Sequence, residues 1–103
     1  MRPKRRYIAF GVSGVKLSGN EVARAITNSL RSLQDPSDTS AVRMIFFEAS
    51  SGRGLLRCEH KQVAQVKTAI LELKRIGGRY ASFSVLGISG TIRAAKRKFL
   101  SAL

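Results

Sequence analysis

The chain has little of several residue types, and each shortage excludes a class of protein. Its 103 residues include one cysteine and no tryptophan. A single cysteine, Cys58, can form neither an internal disulfide nor a thiolate-rich metal site, and this usage fits a reducing cytoplasm. No apolar run approaches the roughly 20 residues of a membrane-spanning helix. The basic first residues are not followed by the hydrophobic region of a signal peptide, so we expect no signal peptide and a cytoplasmic location.

Acidic residues are also scarce, with six Asp and Glu against 19 Lys and Arg and a net charge of +13. Such a charge implies a polyanionic partner. Nucleic acid is the leading candidate, since each neutralised phosphate releases counterions, and an anionic membrane surface is the weaker alternative. The few carboxylates do not resemble a two-metal site for phosphodiester cleavage. We therefore expect no catalytic residue and no metal ligand in the protein itself.

The apolar pattern predicts one α+β domain. A basic arm (1–6) precedes a core (7–86) of order βαββαβ, and a glycine-rich turn with a basic C-terminal helix follows (87–103). This order is that of the ferredoxin-like fold, shared by the RNA-recognition motif, in which four antiparallel strands carry two helices on one face. The predicted strands span 7–12, 41–47, 55–59 and 80–86, and the second helix spans 61–75 and ends at two glycines.

Helical spacing supports the first helix. Ser18 precedes Glu21 by three residues, the pattern of a capping box. Val22, Ile26 and Leu30 then recur on one face. The interval between the first two strands therefore holds an amphipathic helix.

The predicted sheet is apolar on both faces. On the first strand Ile8, Phe10 and Val12 face one way, and Tyr7 and Ala9 face the other. Alternation along the second strand likewise places Val42, Met44 and Phe46 on one face and Ile45 and Phe47 on the other. A sheet of this kind requires cover on both faces, so either the last helix or a partner protein covers the face that the two core helices leave open.

The third strand bears on how RNA would be bound. RNA-recognition motifs stack bases on aromatic residues of their two central strands, but Leu55 to Glu59 contains none. We therefore expect binding by edges, loops and termini.

A distinctive segment runs from Leu86 to Arg93 and reads Leu-Gly-Ile-Ser-Gly-Thr-Ile-Arg. Backbone N–H groups at a helix start attract phosphate, and glycines let its oxygens approach closely. In this interpretation Gly87, Gly90 and Thr91 shape a turn, and Arg93 contacts RNA. The same spacing also fits a plain turn followed by a solvated basic face. The candidate RNA-binding residues are Arg2, Lys4, Arg5, Arg6, Arg53, Arg57, Gly87, Ser89, Gly90, Thr91, Arg93, Lys96, Arg97 and Lys98.

An enzymatic alternative rests on residues 11–15, Gly-Val-Ser-Gly-Val. This segment resembles the phosphate loop of acylphosphatases, small phosphoryl-transfer enzymes of the same fold class. The arginine that the resemblance requires is Ser18 in this chain, so a turn after the first strand explains the segment better. A general ribosomal or RNA-binding protein is a further alternative.

Three segments together resemble one family. Residues 5–8 (Arg-Arg-Tyr-Ile), 54–58 (Gly-Leu-Leu-Arg-Cys) and 86–93 look like those of ribonuclease P protein component 2, the archaeal counterpart of a protein shared by eukaryotic ribonuclease P and the mitochondrial RNA-processing ribonuclease. The resemblance implies a non-catalytic subunit of the ribonucleoprotein that removes the 5′ leader from precursor tRNA. It also implies an RNA subunit that uses Mg²⁺, no cofactor on the protein, and pairing with ribonuclease P protein component 3 as a heterotetramer.

Overall fold

The computed structural model describes residues 4–33 and 42–100. Arg2 and the last three residues of the predicted C-terminal helix lie outside the described residues. The elements, in chain order, are β1 (Arg5–Ser13), α1 (Gly19–Leu33), β2 (Arg43–Glu48), β3 (Arg53–Glu59), a 3₁₀ turn (His60–Gln62), α2 (Val63–Glu72), β4 (Arg75–Ile76), β5 (Arg79–Tyr80), β6 (Ser82–Ser89) and α3 (Ile92–Ala95), which continues as a π-helical segment (Lys96–Leu100). The α+β class is confirmed. No helix in this part of the chain is long and apolar enough to cross a membrane.

Four strands form the main sheet, in the order β2-β3-β1-β6 with every neighbouring pair antiparallel. The predicted basic arm is shorter than expected, because Arg5 and Arg6 already belong to β1. They lie opposite Glu59 and Cys58 of β3.

One face of the sheet packs against α1 and α2. Ser18 and Glu21 form the predicted capping box, in which the Glu21 N–H donates to Ser18 Oγ (3.2 Å) and the Ser18 N–H donates to Glu21 Oε1 (3.1 Å). Val22, Ile26 and Leu30 are buried, as their spacing predicts. The local capping signal and the helical pattern therefore place α1 correctly.

The helix α3 covers the opposite face. Its Ala95 and the following Leu100 form a second buried cluster with Ala9 of β1 and Leu55 of β3. The sequence left open whether the last helix or a partner protein covers this face. In the structure, the last helix covers it.

A bulge in β2 overturns part of the predicted alternation. Met44 lies opposite Leu56 and Phe46 lies opposite Leu55, so two consecutive residues of β3 face three of β2 and Ile45 is the extra residue. As a result Phe46 packs on the α3 side, whereas Phe47 joins the main core. The prediction that placed Phe46 with Met44 was wrong.

The segment after α2 also differs from the prediction. The helix ends at Glu72 instead of reaching Arg75, and β4 and β5 form a small hairpin. Gly77 and Gly78 have φ of 57° and 79°, the left-handed values of a two-residue hairpin turn. The two glycines therefore turn a hairpin and do not end the helix.

Strand β6 continues to Ser89, three residues beyond the predicted end. Gly87 lies inside the strand opposite Ala9, and a Cβ built on it would overlap the ring of Phe99. The prediction that Gly87 shapes a turn was therefore wrong, because this glycine makes room for an aromatic ring of the covering helix. Gly90 and Thr91 alone connect the strand to α3.

Candidate nucleic-acid interface

The strand register aligns three side chains across the sheet, on the face that α3 covers. Arg43 lies opposite Arg57, and Arg57 lies opposite Tyr7. Arg57 and Tyr7 are two residues from Leu55 and Ala9, so they share the face of the second cluster. Neighbouring strands are roughly 4.8 Å apart, so these three residues, called here the Arg43–Arg57–Tyr7 row, extend about 10 Å.

The two arginines of this row form no ion pair within the part of the chain that the structure describes; Glu59, two residues from Arg57 on the same face, pairs with Lys61 instead. Arg43 is exposed, and Arg57 and Tyr7 are half-buried. Two salt bridges occur within residues 4–33 and 42–100, Lys61 to Glu59 (3.6 Å) and Arg79 to Glu21 (2.9 Å), and neither includes an arginine of the row. Like charges directly opposite each other destabilise a sheet. The row therefore presents positive charge to an external anion.

The helix α3 brings Arg93 to the same end of the sheet. Lys96 Nζ lies 5.3 Å from the ring centroid of Phe46, so Lys96 is on the β2 side of the helix. Arg93 precedes Lys96 by three residues and shares this flank. The helix follows Ser89, which pairs with Tyr7, so its first turn lies beside the Arg43–Arg57–Tyr7 row.

Other predicted residues lie elsewhere. Arg53 is on the same face as Arg57, but on the far side of Leu55 and opposite Glu48. Arg6 alternates onto the other face of β1, and its Nη1 donates to the Arg5 carbonyl (2.8 Å). The remaining described candidates, Lys4, Arg5, Lys96, Arg97 and Lys98, are exposed. The predicted set is therefore spread over the molecule. Among the described candidates, Arg57, Arg93 and also Arg5, which lies two residues before Tyr7 on the same face, are placed at this end of the sheet.

The start of α3 partly satisfies its own backbone. Thr91 Oγ1 accepts a hydrogen bond from the Ala94 N–H (3.1 Å), and the Thr91 N–H donates to Ser89 Oγ (3.5 Å). Ser89 is buried, and Gly90 lies in open space without a left-handed φ. This turn therefore resembles an ordinary N-cap more than the phosphate cradle that its glycines predict.

Comparison with known proteins assigns the chain to a family. The model of the Rpp14/Pop5 family matches residues 6–100. The chain belongs to the Rpp14/Pop5 family. Among its relatives, ribonuclease P protein component 2 of Methanosarcina mazei is 36% identical, over 97% of this chain and 87% of that protein. Ribonuclease P protein component 2 of Pyrococcus furiosus is 38% identical, over 98% of this chain and 87% of that protein.

A solved structure shows the same fold. A chain in the cryo-EM structure of yeast ribonuclease MRP superposes with a TM-score of 0.67 at 12% sequence identity. The match covers 99% of this chain and 89% of that chain. At this identity the likeness concerns the fold alone.

Two further features of this Rpp14/Pop5 family chain concern catalytic chemistry. Cys58 is 1% exposed in the main core, and burial raises the pKa of its thiol to about 11. Cys58 is therefore a small core residue. In the described ranges, no three His, Cys, Asp or Glu side chains are grouped so that they could hold a metal ion.

Sequence reasoning missed Arg43. Its chain neighbours carry no motif, and its importance comes only from the strand opposite, where Arg57 stands. A hairpin between residues 41–47 and 55–59 is predictable, but its register is not. The second arginine of the row therefore required the structure.

Proposed function

We propose that this chain is a protein subunit of ribonuclease P, and that it binds and supports the catalytic RNA without cleaving the substrate itself. The observation that carries the proposal is the match to ribonuclease P protein component 2 over nearly the whole chain, at 36% and 38% identity. The complex would remove the 5′ leader from precursor tRNA.

The charge distribution supports an RNA partner. The net charge is +13, and the arginines of the Arg43–Arg57–Tyr7 row lack ion-pair partners among the described residues. We propose in addition that the Mg²⁺ of the complex is held by the RNA and that the protein holds no cofactor. We accordingly propose that this chain acts by binding and positioning RNA.

We also infer that the fold is ferredoxin-like, as the strand order β2-β3-β1-β6 with helices after β1 and β3 supports. Ribonuclease P protein component 3 as partner, a heterotetramer and a cytoplasmic location stay predictions. The acylphosphatase alternative has no support, because Ser18, at the position of the required arginine, caps α1.

The experiment that tests this function identifies the bound RNA. The tagged chain is captured from its native cells under mild salt, and the co-purified RNA is sequenced. We expect strong enrichment of ribonuclease P RNA. Enrichment of ribosomal RNA alone would favour the general RNA-binding alternative and refute the proposal.

A reconstitution assay tests the supporting role. The chain is added to cognate ribonuclease P RNA and component 3, and cleavage of precursor tRNA is measured as Mg²⁺ is lowered. We expect the chain to reduce the Mg²⁺ required, and the protein without RNA to cleave nothing. Arg93→Ala should weaken RNA binding and lower the salt slope by roughly one unit per lost phosphate contact.

A further inference from the structure

We propose that the Arg43–Arg57–Tyr7 row binds an unpaired RNA strand, with a base stacked on Tyr7 and phosphates held by the two arginines. This inference rests on the proposed function for the identity of the polyanion as RNA. It adds the place on the protein and the form of RNA that the place selects.

The charge arrangement is the first argument. Arg43 and Arg57 are directly opposite on neighbouring strands, a placement that opposes folding, and neither has an ion-pair partner among the described residues. A planar guanidinium binds phosphate through two parallel hydrogen bonds. A phosphate bound between the two arginines would offset their mutual repulsion. The row is therefore more stable with a phosphate bound than without one.

The position of α3 is the second argument. The helix covers Ala9 and Leu55, so bases have no access to the middle of the sheet. Tyr7 lies two residues before Ala9, packs against the edge of this cluster and stays partly exposed. The proposal therefore places stacking at this margin of the sheet, where the aromatic ring of Tyr7 lies beside Arg57.

The combination of a ring and arginines selects the form of RNA. In a duplex the base faces are stacked on one another, and the protein meets mainly phosphates and 2′-hydroxyls. An unpaired strand can place a base on an aromatic ring while its phosphates meet nearby cations. A surface for duplex RNA would need the arginines but would gain nothing from Tyr7.

Photocrosslinking of the unaltered chain tests the contact without any risk of misfolding. The probe is an oligouridine about 12 nucleotides long that carries 4-thiouridine. We expect the crosslink on the tryptic peptide that runs from Tyr7 to Lys16, and its loss when the probe is annealed to oligoadenosine. A crosslink confined to other peptides would overturn the proposal.

Four variants test the energetics with the same probe. Tyr7→Phe keeps the ring and should bind as the unaltered chain does, whereas Tyr7→Leu should weaken binding of the single strand about tenfold, with a smaller effect on the duplex. Arg57→Gln should lower the salt slope by roughly 0.7. Arg24→Gln removes an equal charge from α1, on the other side of the sheet, and should change the affinity by less than about twofold.

The results separate this inference from the proposed function. If cells yield ribonuclease P RNA but Tyr7→Leu and Arg57→Gln bind the probe no worse than Arg24→Gln, the subunit assignment stands and the row is excluded as the site. If ribonuclease P RNA is not recovered while the row variants lose affinity for the oligouridine, the site stands and the subunit assignment fails. Urea midpoints of all four variants identify any loss that comes from unfolding.

Discussion

The contact between Gly87 and Phe99 makes a quantitative test of how α3 is held. A Cβ on Gly87 would overlap three carbon atoms of the Phe99 ring. Gly90, three residues later, has no atom within 4 Å of its built Cβ and no left-handed φ. Gly87→Ala and Gly90→Ala therefore introduce the same methyl group, one into a packed contact and one into open space.

We expect Gly87→Ala to lower the free energy of unfolding by about 1–3 kcal/mol, the usual effect of overpacking. The backbone does not add to this cost, because the φ of Gly87 lies outside the left-handed region. Gly90→Ala should be neutral or slightly stabilising, since alanine reduces the freedom of the unfolded chain by about 0.4–1 kcal/mol. The difference between the two variants isolates the steric contact.

Urea unfolding measures the effect, and a double-mutant cycle assigns it. Phe99→Ala removes the ring, so Gly87→Ala should cost much less in the Phe99→Ala background than in the unaltered chain. The interaction energy should reach roughly 0.5–3 kcal/mol for residues in contact. If the two effects simply add, Phe99 does not pack on Gly87 and the described position of α3 is wrong.

Three other predictions follow from local chemistry. Because burial raises the pKa of the Cys58 thiol to about 11, iodoacetamide at neutral pH should label it only as the protein unfolds, and labelling as fast as in urea would contradict this. The hydrogen bond from the Ser18 N–H lowers the pKa of the Glu21 carboxyl, so ionised Glu21 stabilises the fold above its unfolded pKa, and this stabilisation should fade as pH falls through the lower folded pKa. Thermal unfolding of Glu21→Gln should lack this acid-dependent loss of stability. If the melting temperatures of the variant and the unaltered chain change in parallel with pH, the prediction is refuted. Gly52→Ala should lower the urea midpoint more than Gly77→Ala, because both have positive φ but only the Cβ at 52 meets the backbone of a neighbouring strand; equal midpoints would contradict the packing there.

The elements that the sequence predicted correctly depend on short-range signals. The capping box of Ser18 and Glu21 and the spacing of Val22 and Ile26 involve residues within one or two helical turns. These local interactions do not depend on how the rest of the chain folds, so the sequence pattern alone identifies them. The order of elements follows from the same kind of signal, and it is sufficient to predict the α+β class.

The glycines show why the details of turns were harder to predict. Gly77 and Gly87 both follow apolar residues, and both fit a break in regular structure. The structure uses Gly77 for a left-handed hairpin turn and Gly87 for the approach of a ring 12 residues later in the chain. A glycine indicates that a side chain is excluded, but only the fold shows whether the backbone angle or a neighbour excludes it.

The bulge in β2 determines the candidate site itself. Counting back from the pair Glu48 and Arg53 without a bulge, Arg43 would face Cys58 and lie on the side of the main core. The extra residue Ile45 shifts the register by one, so Arg43 instead faces Arg57 on the side of α3. A shift of one residue moves every following side chain to the opposite face. The two arginines of the row therefore meet because of one inserted residue, and neither the hydrophobic alternation nor the net charge of the chain contains that information.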